Sequence, residues 1–224
     1  MSSPPKRVVG FEIERARRLG EETPSFLVLH RYEMHNVYED GGRSPSYLCD
    51  FVQRPRGLDA VVVALYRQSS AGLEVLLRGQ LRPPVQLGRQ GGDVALPAPA
   101  RPLLNPELVA GLLEAEDRGE AGVKRRAAIE AHEEAGFRVD PAAIMLLGAA
   151  SFPTPGAFPE QFVFAACDVT GLVPEPPPGD GHPLEEGAWL RWMSLGNAIA
   201  ACVRGEIADC KTEIALRRLR DLAP

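Results

Sequence analysis

The chain lacks a basic excess: 25 lysines and arginines stand against 30 aspartates and glutamates, for a formal charge of −5 and a pI near 5.5. Nucleic-acid backbones are gripped by clustered cations, so this balance argues against a nucleic-acid partner. No apolar run approaches the roughly 18 residues that a membrane helix needs. The opening Met-Ser-Ser-Pro-Pro-Lys-Arg leads into charge without an apolar stretch, so it reads as no secretion signal. The four cysteines, Cys49, Cys167, Cys202 and Cys210, show no C-x-x-C spacing and sit among apolar neighbours. They are expected to be reduced, mostly buried thiols of a cytoplasmic protein. There is no internal repeat. At 224 residues, 45% hydrophobic and 25% charged, the chain has the make-up of an ordinary globular protein with one sizeable core. Its 22 glycines and 21 prolines cluster in connecting segments, which predicts long irregular loops.

The most informative stretch is Ile129-Glu130-Ala131-His132-Glu133-Glu134-Ala135-Gly136-Phe137. At about 100° per residue, Glu130 and Glu134 project about 40° apart on a helix, and Glu133 lies about 60° to the other side. Carboxylates crowded into one arc repel each other, and the commonest chemical reason for such an arrangement is a hard divalent cation. Ala127, Ala128, Ile129, Ala131 and Ala135 suit packing against a sheet, and Gly136 supplies a stop. His132 lies about 160° from Glu130 around the helix and is given no catalytic part.

Elsewhere the pattern predicts strands at 26–36 and 47–53 about the turn Asp40-Gly41-Gly42, a buried strand at Leu58 to Tyr66, and a return strand at Leu73 to Leu77. A Pro/Gly-rich loop follows at about 83–104, then a short strand at Glu107 to Leu113 and the acidic helix at about 122–135. Further strands are expected at 143–150, 161–169 and 187–193, a loop at 171–183, and helices at 195–204 and 209–221. Trp189 and Trp192 fall three apart in a strand and so point to opposite faces. Strands interleaved with fewer helices predict an α+β fold, a mixed α/β/α sandwich. Three regions are expected: an N-terminal arm or short helix at 1–25, an N-terminal antiparallel β subdomain at 26–56, and a main domain at 57–224.

The run from Gly111 to Phe137 resembles the Nudix box, G-x5-E-x7-R-E-U-x-E-E-x-G-U, in its second half, with a four-residue insertion within 115–119 and Ile129 where the pattern has arginine. Glu120, reached from Arg125 or Arg126, is the expected replacement for that arginine's ion pair. Flanking segments extend the resemblance to ADP-ribose pyrophosphatases and related nucleoside-diphosphate-sugar hydrolases: Arg54-Pro-Arg-Gly57, Gln80-Leu-Arg82-Pro-Pro, Glu107-Leu-Val-Ala-Gly111, Thr154-Pro-Gly-Ala-Phe-Pro-Glu160 and Asp209-Cys-Lys211-Thr212. Together they span about residues 28–222.

The resemblance implies a Nudix fold that hydrolyses the pyrophosphate bond of ADP-ribose or a related nucleoside-diphosphate sugar with Mg²⁺ or Mn²⁺. It implies Glu130, Glu134 and the carbonyl of Ala110 as metal ligands, with Glu133 a direct or water-mediated one. Glu160 would be the general base or would position the attacking water, and Arg54, Arg82 and Glu107 would contact substrate. It also implies a homodimer formed through the N-terminal strands. The competing reading is a catalytically weakened module that binds nucleotide sugars, suggested by Ile129 and the insertion.

Overall fold

The fold is organised around β4 (Ala60–Ser69), whose Val61 to Leu65 are wholly excluded from solvent in a computed structural model. That model describes residues 8–19, 26–70, 72–88, 95, 102–179 and 181–222. An unbroken apolar run is what a strand covered on both faces requires, and each of its valine and leucine side chains contributes about 1.5–3 kcal/mol on burial. β4 runs parallel to β9 (Phe162–Asp168) and antiparallel to β5 (Gly72–Leu81) and β7 (Val109–Leu112). β10 (Trp189–Ser194) and β6 (Leu104–Glu107) pair with β5, and the short β8 (Met145–Leu146) pairs with β9. The result is a mixed seven-stranded sheet.

Helix α2 (Gly119–Ala135) covers one face. Its Ala127, Ala131 and Ala135 pack on Val61, Val63 and Leu65. Alanines allow a close approach there. α3 (Leu195–Arg204) and α4 (Cys210–Leu222) cover the other face through Ala198, Ala201, Ala215 and Leu216 against Val62, Ala64 and Phe164. This is the expected α+β sandwich. Trp189 belongs to the α3/α4 face and Trp192 to the α2 face, as their spacing in a strand dictates.

The chain divides at Leu58 into two compact units, and Phe152–Glu160 goes with the first of them. That first unit holds an antiparallel sheet of β1 (Val8–Leu19), β2 (Val28–Tyr38) and β3 (Tyr47–Gln53). β2 and β3 are joined at the expected Asp-Gly turn. The segment 152–160 is tied to β3 by the Val52 N–H donating to the Ala157 carbonyl at 2.9 Å.

Several expectations are corrected. Within the 1–25 region, read as an arm or short helix, residues 8–19 form a strand; residues 1–7 and 20–25 lie outside the described residues. Two of the charges that looked helical meet β2 instead. Glu12 and Glu14 flank His35 of β2, the Glu14 carboxylate lying 3.0 Å from Nδ1. Val9, Phe11 and Ile13 do alternate with Gly10, Glu12 and Glu14 as in a strand, but the following Arg15-Ala16-Arg17-Arg18 breaks the period. The 83–104 loop begins with a short helix, α1 (Pro83–Leu87), nucleated by two prolines at its start; 89–94 and 96–101 lie outside the described residues. The strand expected at 143–150 is reduced to Met145–Leu146. All four cysteines are free, but only Cys167 and Cys202 are buried; Cys210 is exposed. Among the described residues no helix is long and apolar enough to cross a membrane.

Candidate active site

The acidic helix is anchored at both ends before its carboxylates are placed. At its C-terminus Gly136 takes φ 75°, and its N–H and that of Phe137 bond back to His132 and Ala131 at 2.8 and 3.0 Å. A Cβ at Gly136 would overlap the Glu175 carbonyl, because the 171–179 segment folds across this end. Left-handed backbone and close packing both demand glycine here.

The N-terminal end corrects the expected brace. Glu120 is exposed and pairs with Lys124 at 2.8 Å, while the Arg125 guanidinium bonds the Glu116 carbonyl at 3.3 Å. Arg126 instead donates to the buried Asp117 at 2.7 Å, and Asp117 also accepts from the Glu114 N–H at 3.0 Å. Burial alone would raise the Asp117 pKa, but the Arg126 bond and the Glu114 N–H outweigh it and hold it below the usual carboxylate range. The inserted turn moves the acid, so the arginine one turn back reaches it. Ile129, in the place of the pattern's arginine, is exposed.

Glu130 is buried, and its carboxylate lies directly over Gly111, where any Cβ would overlap it. That contact explains the glycine on β7. Among the described residues its nearest cation is Arg126, at 3.8 Å. Burial first, then the charges of Glu134 and Glu133, push its pKa to about 8. Glu134 is also raised, by burial, although Arg78 and the Ala110 N–H at 3.1 Å oppose the shift. Glu133 lines a cavity of about 510 Å³ together with Arg78, Glu134, His182, Glu185 and Trp189.

The arginine that meets Glu134 is Arg78 of β5, which is 5% exposed. It donates to Gln80, Glu134 and Glu185, the last at 2.6 Å. Neither Arg78 nor Glu185 was among the residues singled out from sequence. The only signal was an arginine amid the apolar run Val75-Leu-Leu-Arg-Gly, at the place where a buried strand should not carry charge.

Arg82 and Glu107 come together, in a fork of 2.7 and 2.8 Å. Lys211, buried at the start of α4, donates to Glu107 at 2.5 Å and to Asp209 at 2.8 Å. Burial alone would raise the Glu107 pKa, but Arg82 and Lys211 outweigh it and hold the group below its ordinary value. Thr212 completes the network, its hydroxyl donating to Asp209 at 2.6 Å and accepting the Leu108 N–H at 2.9 Å. The Glu107 oxygens are thus already occupied by protein cations. His132 sits 3.4 Å from Glu175, away from the carboxylate arc, as the helix angle required.

In the first unit, Arg54 donates to the buried Glu160 at 2.5 Å, and its guanidinium lies 5.2 Å from the Phe26 ring centroid. These two residues, 106 apart in sequence, are brought together by the 152–160 segment lying on β3.

Among the described residues, no three acidic, histidine or cysteine side chains already converge as a ligand cage. The Glu134 oxygens are directed to Arg78 and the Ala110 N–H. The donor chemistry nevertheless fits a hard cation: oxygen ligands only, with Glu130 desolvated beside like charges and short of positive charge.

No protein-family model matches the chain, and no curated protein matches it in sequence. Among solved structures it is similar to one described as the crystal structure of an ADP compounds hydrolase, with a TM-score of 0.67 and 15% identity over 97% of this chain and 96% of that one. At that identity the likeness speaks for the fold alone, shared along nearly the whole length of both chains.

Proposed function

We propose that this protein hydrolyses the pyrophosphate bond of ADP-ribose or a related nucleoside-diphosphate sugar, giving a nucleoside monophosphate and a sugar phosphate, with Mg²⁺ or Mn²⁺. The observation that carries the reading is Glu130, a buried carboxyl group pressed onto Gly111 on the same helix face as Glu133 and Glu134, with Arg126 no nearer than 3.8 Å. Glu130, Glu134, Glu133 and the Ala110 carbonyl are the residues that would hold the cation. When bound, the ion neutralises the diphosphate and acidifies water. Glu130 is positioned for this by Gly111, and the helix that carries it is fixed by the Arg126–Asp117 pair and the Gly136 stop. Arg54 and Arg82 carry guanidinium groups suited to phosphate oxygens; Glu107, whose oxygens Arg82 and Lys211 occupy, holds those cations in place and is not given a substrate contact. Glu160, on the 152–160 segment, is the candidate to orient or deprotonate water; Arg54 fixes its carboxylate. The N-terminal strands, which expose Leu48 and Ile13, are the proposed homodimer contact.

The test is a panel of nucleoside-diphosphate sugars with Mg²⁺, products identified by chromatography. Release of a nucleoside monophosphate is expected, and Glu134→Gln should lose most of it. Undiminished turnover by Glu134→Gln would sink the assignment. The Arg78–Glu134 pair favours one second reading, a module that binds nucleotide sugars without turning them over; product formation in the same panel eliminates it.

A further inference from the structure

Glu134 meets two demands that conflict. The proposed chemistry needs it on a divalent ion, yet the fold supplies it with a resident cation. Arg78 is 5% exposed and donates to Glu134 from β5, directly after the buried run Val75 to Leu77. The other Glu134 oxygen accepts the Ala110 N–H at 3.1 Å. A carboxylate so engaged is charge-compensated, and a divalent ion approaching it meets the repulsion of a buried guanidinium.

We propose that Arg78 is a built-in counter-ion of Glu134 which a divalent cation must displace, so that this one guanidinium sets how much metal the site needs before it loads. The inference rests on the metal-dependent reading above. Three observations carry it. First, Arg78 is the only arginine or lysine among the described residues lining the 510 Å³ cavity, where it stands against Glu133, Glu134 and Glu185. Second, it has a second anchorage: one nitrogen bonds Glu185 at 2.6 Å, and Gln80 accepts from the other. Released from Glu134, the guanidinium keeps a carboxylate and an amide partner and is not left as a buried unpaired charge, so the exchange is available. Third, Glu130 lacks an equivalent partner, with Arg126 no nearer than 3.8 Å. The two ligands of the i, i+4 pair are therefore unequal: Glu130 has no close counter-ion to displace, and Glu134 is held by Arg78. A purely structural role for Arg78 would make its removal costly to stability and harmful or neutral to metal binding. Competition makes removal favourable to metal binding.

The experiment is Mn²⁺ titration calorimetry on wild type, Arg78→Gln and Arg78→Lys, with folding checked by far-ultraviolet circular dichroism. Arg78→Gln is expected to bind Mn²⁺ about tenfold more tightly, the scale of one lost charge-assisted hydrogen bond. Arg78→Lys is expected to fall between, because one ammonium cannot fork across two carboxylates as a guanidinium does. Unchanged or weaker binding by folded Arg78→Gln overturns the proposal. Should that variant fail to fold, the lysine variant decides alone: tighter than wild type supports the proposal, equal or weaker overturns it. Equal binding by all three proteins defeats the counter-ion role and leaves the metal site standing. No binding by any of them defeats both.

Discussion

Glu107→Gln separates a structural role from a substrate-binding one, and its cost can be estimated from the network around it. Glu107 is 3% exposed and takes a two-pronged bond from Arg82 and a third from Lys211 at 2.5 Å. Glutamine keeps the shape but removes the charge, and its NH₂ faces a donor. Breaking a buried ion pair by neutralising one partner costs about 3–5 kcal/mol. Lys211 keeps Asp209, and the Arg82 side chain is partly exposed, so the lower end applies, about 3 kcal/mol. Against a total stability of roughly 5–15 kcal/mol that is a large share. With a slope of about 3 kcal/mol/M the urea midpoint should fall by about 1 M. The pH dependence gives a second check. The folded pKa of Glu107 lies below its ordinary value of 4.5. Its stabilisation is therefore present above that value and is lost as pH falls through the folded pKa. The deficit of Glu107→Gln should be full at neutral pH and shrink in acid. A midpoint within experimental error of wild type, with a raised KM for the nucleotide sugar, would refute the structural assignment and return Glu107 to substrate binding.

Gly111→Ala places a methyl on the Glu130 carboxylate; we expect a stability loss of about 1–3 kcal/mol and a disproportionate loss of Mn²⁺ affinity by calorimetry, the two together marking displacement of Glu130. Asp117→Asn should cost about 1.5–3 kcal/mol in urea denaturation, because it uncouples a buried charge from Arg126. Glu120→Gln should stay within about 0.5 kcal/mol, since that pair is exposed; the reverse order would restore Glu120 as the brace. Glu130, held near 8 in the folded protein against an ordinary 4.5, binds more protons folded than unfolded, so its contribution to stability falls as pH rises across that window. Mg²⁺ should therefore raise the melting temperature more at pH 8 than at pH 6, and an equal rise at both would count against Glu130 as a ligand.

Some elements were legible because their cause is local. The acidic arc on α2, the Gly136 stop, the buried β4 and the two faces of β10 follow from periodicity, and each appears where the chain's own spacing puts it. β1 was only half legible: Phe11-Glu12-Ile13-Glu14 alternates, but the arginine-rich residues after it do not, and the strand acquires its register from β2. The brace was half legible: Arg126 was a candidate, but its partner depended on the path of the inserted turn, which brought Asp117 under it and left Glu120 in solvent.

By itself the sequence determined which carboxylates share a helix face and which strand is buried, since both depend on contacts within a few residues. Only the tertiary structure decided which cation meets which acid. Glu107 and Lys211 are 104 residues apart, and Arg78 and Glu134 are 56 apart. Charge pairing is a matter of distance through space, and folding, not sequence order, sets that distance.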